Sequence, residues 1–115
     1  MTPFTARVIA VIQSIPEGKI MTYGGVARAA GSPRAARQVV RILHSMSRKY
    51  KLPWHRVVNA KGRIALEDES GSLQKLYLLG EGIEFTADGA VNLELFQFVP
   101  GPEPELADYL LPPFE

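Results

Sequence analysis

The stretch Leu52–Ala60, LPWHRVVNA, holds the residues best suited to chemistry. Pro53, with its fixed φ, introduces Trp54, the only Trp of the chain, followed by His55, Arg56 and Val57. A His can act as a general base, and Glu81 in the stretch GEG is a second candidate to serve a water molecule. A hydrolase built on His55 and Glu81 is therefore one reading. Trp54 reacts with nothing here: an indole donates one hydrogen bond and is otherwise an apolar slab. What it offers is a face on which a flat ligand can stack. The chain has no Cys, so a thiolate nucleophile, a Cys-ligated zinc and a disulfide are all excluded by composition. No metal and no cofactor are expected.

The second set of chemical residues is cationic. Of the 13 Lys and Arg, all but Arg7 and Lys75 lie between Lys19 and Arg63, and no Asp or Glu falls there. Of the 12 acidic residues, all but Glu17 lie from Glu67 onward. A net charge of +1 thus hides a basic first half and an acidic second half. Such a split suggests an anionic partner, nucleic acid first among them, although two halves that attract each other would look the same. Arg34, Arg37, Arg41, His44 and Arg48 step by three or four and form one stripe of a helix. With no carboxylates interleaved, the stripe reads as a DNA-facing surface rather than a solvated face.

Several elements must position these groups. Thr2-Pro3 reads as cap and first residue of a helix, with Phe4, Val8, Val11, Ile12 and Ile15 at helical spacing and Pro16 as its end. Thr22 caps a short helix from about Tyr23 to Ala30, stopped at Gly31. Ser32 and Pro33 then open a longer helix to about Met46, with Val39, Val40, Leu43 and Met46 on its apolar side. Two helices around a tight Gly-containing turn form a helix-turn-helix. RVVNAKGRIAL reads as a small β-hairpin, EDESGS as a polar loop, and LQKLYLLGEGIEF as a helix closed by Gly80 or Gly82. VNLELFQFV is an edge strand or a packed tail, and LADYLLPPFE a short acidic helix docking on the body. The fold expected is mainly α with a small hairpin, in one domain of 115 residues whose 46% hydrophobic content can bury a core. The N-terminus lacks a basic segment ahead of a long apolar run, so no secretory signal is expected. No apolar run spans a membrane. A monomer in the cytoplasm is the default.

MTYGGVARAAGSPRAARQVVRIL followed by LPWHRVVNAKGRI resembles the DNA-binding domain of the O6-alkylguanine-DNA alkyltransferases. The likeness runs from about Thr2 to Phe85, with Arg37 standing 17 positions before Trp54 as in that family. The family's motif is Pro-Cys-His-Arg-Val, whose Cys accepts the alkyl group; here it reads Pro53-Trp54-His55-Arg56-Val57. A Trp at the Cys position marks the alkyltransferase-like subgroup, which lacks the transferase reaction. The resemblance implies a winged-helix-like helix-turn-helix domain over residues 1–85 and an acidic tail over 86–115 packing on it.

It also implies roles. Arg37 corresponds to the arginine finger that fills the gap left by a flipped nucleotide, entering from the minor groove. Arg34 and Arg41 would flank it on DNA, and the small Ala36 would permit close approach. Tyr23 corresponds to the Tyr that rotates the nucleotide outward. Tyr23, Trp54, His55, Val57 and Ser70 would form the lesion pocket. Val57 would present its carbonyl to the guanine amino group, and Ser70 its N–H to O6. Arg56 would brace the motif loop and stand with the DNA-contacting residues, and Glu81 would anchor His55. Three positions depart from the family: Met46 replaces a buried Asn, Glu69 a loop aromatic and Val40 a helix Gly. Loss of the aromatic implies a more open pocket that tolerates bulky adducts. The function implied is non-enzymatic recognition of O6-alkylguanine in duplex DNA by nucleotide flipping. In the family the lesion is then flagged for nucleotide excision repair proteins. The location implied is cytoplasmic and nucleoid-associated, or nuclear in a eukaryote. A helix-turn-helix transcription regulator is the alternative.

Overall fold

The computed structural model describes residues 1–101. Five helices, a 3-10 turn and two very short strands follow one another in the order α1, β1, α2, α3, the 3-10 turn, β2, α4, α5. Helix α1, Pro3–Gln13, starts as its sequence dictates, with the Thr2 hydroxyl accepting from the Thr5 N–H and Pro3 at the first position. Strand β1, Met21–Thr22, runs directly into α2, Tyr23–Ala29, capped by the Thr22 side chain on the Gly25 N–H.

The start of the next helix differs from expectation. Gly31 is left-handed (φ 97°), and the Ser32 N–H reaches back to the Ala27 carbonyl at 2.9 Å while Gly31 bonds Arg28. This double closure of α2 engages Ser32 as the end of one helix, so it does not begin the next. Ser32–Ala35 form a turn, and α3 spans Ala36–Tyr50 with no side-chain cap. Helix α3 also runs a turn beyond Met46. It ends where Lys51 turns left-handed (φ 51°) and the Leu52 N–H returns to the Ser47 carbonyl.

Pro53 leads into the 3-10 turn Trp54–Arg56 and strand β2, Val57–Val58. The expected hairpin does not form. Strand β2 pairs in parallel with β1, Met21 opposite Val57 and Thr22 opposite Val58. The Asn59 side chain explains why the chain turns without a second strand. Its Oδ1 accepts from both the Lys61 and Arg63 N–H groups, an Asx-type turn. The Gly62 carbonyl then bonds the distant Val91 rather than a neighbouring strand.

Helix α4, Glu69–Gly80, begins inside the supposed polar loop, because Asp68 accepts from the Ser70 N–H as its cap. It is closed through left-handed Gly82, with Ile83 N–H on the Leu78 carbonyl, leaving Glu81 as the last capping residue. After Phe85 the chain turns at Thr86–Ala90, and Phe85 bridges Val91. Helix α5, Leu93–Phe96, is capped by Asn92. Ile20 then exchanges backbone bonds with Phe96 and Phe98, so the chain from Val91 to Phe98 lies against the body. The expected LADYLLPPFE helix lies outside the described residues.

Two apolar clusters hold this together. Val8, Ile12, Val26, Ala27, Val39 and Ile42 join α1, α2 and α3; Ile20, Val58, Leu78, Ile83 and Val91 join the strands to α4 and the following segment. Met46 packs on the first cluster. The helix-turn-helix and the motif turn are thus set on one core.

Candidate nucleic-acid and lesion site

Behind the motif sits a compact polar knot. Glu81 Oε2 lies 2.6 Å from His55 Nε2 and 2.8 Å from Arg56 Nη2. Its Oε1 accepts from the Gly18 N–H at 2.9 Å and from Arg56 Nε at 3.0 Å. Arg56 Nη1 completes the knot on the Ile15 carbonyl at 2.9 Å. Burial opposes ionisation of Glu81, but the bonds from Arg56, Gly18 and His55 outweigh it and lower its pKa to about 2. A carboxylate so stabilised is a poor base, and His55 faces it rather than the cleft. The hydrolase reading loses its machinery here. The knot instead bolts the motif turn to the end of α4 and to the α1–β1 connection.

In front of the motif is a cleft of about 770 Å³ between α3, the motif and the start of α4. Tyr23, Trp54, Val57 and Ser70 line it, as do Val40, Leu43 and Leu66. Tyr23 is the first residue of α2, so the Thr22 cap fixes where its ring starts. Burial raises its pKa, which keeps the phenol neutral and able to donate. Trp54 is held edge-on between His55 and Tyr77, each ring centroid 6.2 Å away. Such T-shaped contacts leave its faces in a defined direction.

Of the residues read as pocket-forming, His55 is the one that the structure does not bring to the cleft. Ser70 is there, but its N–H already bonds Asp68 Oδ1 at 2.9 Å. An incoming O6 would have to compete with that cap. Val57 is in place, with its carbonyl accepting from Gln74 Nε2 at 2.9 Å. Arg56, expected both as a brace and on DNA, is a brace: its guanidinium is turned inward onto Glu81 and Ile15. Arg34, Ala36 and Arg37 border a shallow groove over Ser32–Gln38 at the start of α3. The first N–H groups of α3 lack a side-chain cap, the condition under which a helix start can take an anion. Arg34, Arg37 and Arg41 are exposed. His44 and Arg48 carry the basic stripe into the cleft, where Lys51 joins them.

The sequence reading missed Asp68 and Gln74. A carboxylate two residues before a Ser at a helix start could have revealed the cap. Nothing in LQKLYLL marks Gln74 as buried. Yet it is 1% exposed, donates to the His55 and Val57 carbonyls at 3.1 and 2.9 Å, and lines the cleft. Its Oε1 is buried without a hydrogen-bond partner among the described residues. Such an acceptor costs about 1–3 kcal/mol while unpaired.

Compared with known proteins, residues 3–83 match the family described as 6-O-methylguanine DNA methyltransferase, DNA binding domain. The chain belongs to this family. A DNA base-flipping protein of Escherichia coli is 43% identical over 95 residues, covering 83% of this chain and 74% of its own length. Alkyltransferase-like protein 1 of Schizosaccharomyces pombe is 37% identical, covering 86% of this chain and 95% of its own. The crystal structure of that yeast protein, Atl1, in complex with damaged DNA containing O6-carboxymethylguanine superposes with a TM-score of 0.74 at 37% identity. It covers 87% of this chain and 98% of the yeast chain. Within the family, this chain has Trp54 in its motif and no Cys, so it cannot take an alkyl group onto a thiolate. Among the described residues no helix is long and apolar enough to cross a membrane.

Proposed function

We propose that this protein is a non-enzymatic sensor of DNA alkylation. It binds duplex DNA through α3, flips an O6-alkylguanine into the cleft and leaves the alkyl group in place. The observation that carries this reading is the cleft itself. A stacking residue, Trp54, lines it together with Tyr23, at the motif position of the reactive Cys, and α3, which borders the cleft through Val40, Leu43 and His44, starts without a side-chain cap between Arg34 and Arg37. The names of the relatives support the same conclusion.

Arg37 fills the space of the extruded nucleotide, since a guanidinium can stack and pair. Arg34 and Arg41 hold phosphates. Tyr23, Trp54 and Val57 receive the base, and His55 with Arg56 and Glu81 keeps the motif turn rigid. The protein acts as a monomer in the compartment that holds the chromosome, and the bound lesion is handed to nucleotide excision repair proteins. The residues that recognise DNA lie within 1–85, and the stretch from Val91 to Phe98 completes the core beneath them.

The test is binding anisotropy on two short duplexes that differ by one O6-methylguanine, at physiological salt. The expected result is tighter binding to the damaged duplex, with the preference lost in Arg37→Ala. Equal affinity for both duplexes, together with selection of a particular undamaged sequence, would replace this reading by a transcription regulator.

A further inference from the structure

We propose that Gln74 is a specificity-determining residue whose Oε1 accepts a hydrogen bond from the exocyclic 2-amino group of the flipped purine. The inference rests on the damage-sensing reading and deepens it. Gln74 sits in the middle of α4 and is 1% exposed. Its amide orientation is not free. Nε2 donates to the His55 carbonyl at 3.1 Å and the Val57 carbonyl at 2.9 Å, and only the nitrogen end can do so, because two carbonyls cannot bond to a third oxygen. Oε1 is therefore the acceptor that remains, and it has no partner among the described residues. The side chain that carries it lines the cleft together with Tyr23, Trp54 and Val57.

The chemistry of the lesion narrows the donor to one group. Alkylation at O6 removes the N1 proton of guanine, and N9 is tied to the sugar. The 2-amino group is then the only source of N–H on the base. Such a base has a single donor to offer the Gln74 acceptor. The group it selects for is absent from hypoxanthine and adenine, so Gln74 separates an alkylated guanine from other purines of the same shape. Sites that leave a buried polar atom unpaired reject the analogue lacking its partner. Because Nε2 grips the backbone on both sides of Arg56, the same residue also holds the motif turn at the depth at which Oε1 is reached.

The test uses the full chain and three duplexes: one with guanine, one with O6-methylguanine and one with O6-methylhypoxanthine at the same position. The last keeps the methyl group and lacks the 2-amino group. The wild type should bind O6-methylguanine over O6-methylhypoxanthine by several-fold to about tenfold, and Gln74→Met should reduce that ratio to near one. Differences in the duplexes themselves are common to both proteins and cancel in the comparison. An unchanged ratio in Gln74→Met overturns the proposal, and so does a wild type that binds the two methylated duplexes equally.

The side-chain carbonyl ¹³C resonance of Gln74 in the wild type gives the same answer without a variant. It should move downfield with O6-methylguanine DNA and less with O6-methylhypoxanthine DNA; equal movement overturns the proposal. Failure of the damage-sensing reading itself appears elsewhere, as equal wild-type affinity for guanine and O6-methylguanine.

Discussion

Glu81 is the residue on which the geometry of the motif turn depends most. It ties Gly18 to the adjacent pair His55 and Arg56, segments far apart in sequence. Its folded pKa of about 2 lies below the ordinary 4.5, so the folded state binds the proton less tightly than the unfolded one. The stabilisation is fully present above about pH 5 and is lost as pH falls toward 2. With the side chain only 10% accessible, that gap corresponds to about 3 kcal/mol. Urea unfolding at pH 7, 4 and 3 should reveal the loss. Glu81→Gln should flatten this acid dependence and be less stable at pH 7, because Arg56 is left inside without its counter-charge. Part of this placement was legible in the sequence. Trp54, Tyr23 and Val57 reach the cleft expected of them, and Glu81 meets His55. The role of Arg56 was legible only in part, since a basic residue in a basic segment gives no sign of which way it points.

Helix boundaries decide where these residues stand. The Thr2 and Thr22 caps were legible because a hydroxyl next to a helical pattern satisfies free N–H groups locally. Ser32-Pro33 carried the same local signal, yet Ser32 closes α2 instead. That competition was decided by the left-handed Gly31. The start of α4 shows close backbone approach at its strictest. A Cβ on Gly71 would collide with the Leu66 carbonyl oxygen, and a backbone atom cannot swing aside. Gly71→Ala should destabilise the fold by about 1–3 kcal/mol and displace the 64–68 segment that borders the cleft. Thermal unfolding would register the first effect. The second would appear as a loss of lesion preference that exceeds any loss of affinity for undamaged DNA.

Across the whole molecule, charge is the organising quantity. Six of the basic residues between Lys19 and Arg63 (Arg34, Arg37, Arg41, Arg48, Lys49 and Lys51) lie on or at the ends of α3, while all the carboxylates but Glu17 lie from Glu67 onward in sequence. DNA binding should therefore be steeply salt-dependent. Arg41→Ala should weaken damaged and undamaged duplexes alike and lower the slope of log K against log salt by about 0.9. Arg37→Ala should act chiefly on the damaged one. Titrations at several salt concentrations with both duplexes separate the two effects. The open cleft also bears on adduct size. Glu69 lies in the first turn of α4 and no aromatic takes its place, so affinity should persist as the alkyl group grows beyond methyl. A steep fall along an alkyl series would contradict that.

By itself the sequence determined what the protein cannot do and what it is built from. With no Cys there is no thiolate to accept an alkyl group, and helical periodicity with local caps specifies a basic helix-turn-helix ahead of the motif. These are local or compositional properties, set by neighbours within a turn or two. Tertiary structure alone decided the parallel pairing of Val57 with Met21, the inward turn of Arg56 and the burial of the cleft-lining Gln74 with an orphan acceptor. Each depends on contacts between residues well apart in the chain, backbone to backbone in the strand pair and side chain to backbone for Arg56 and Gln74. No periodicity or spacing records such a pairing.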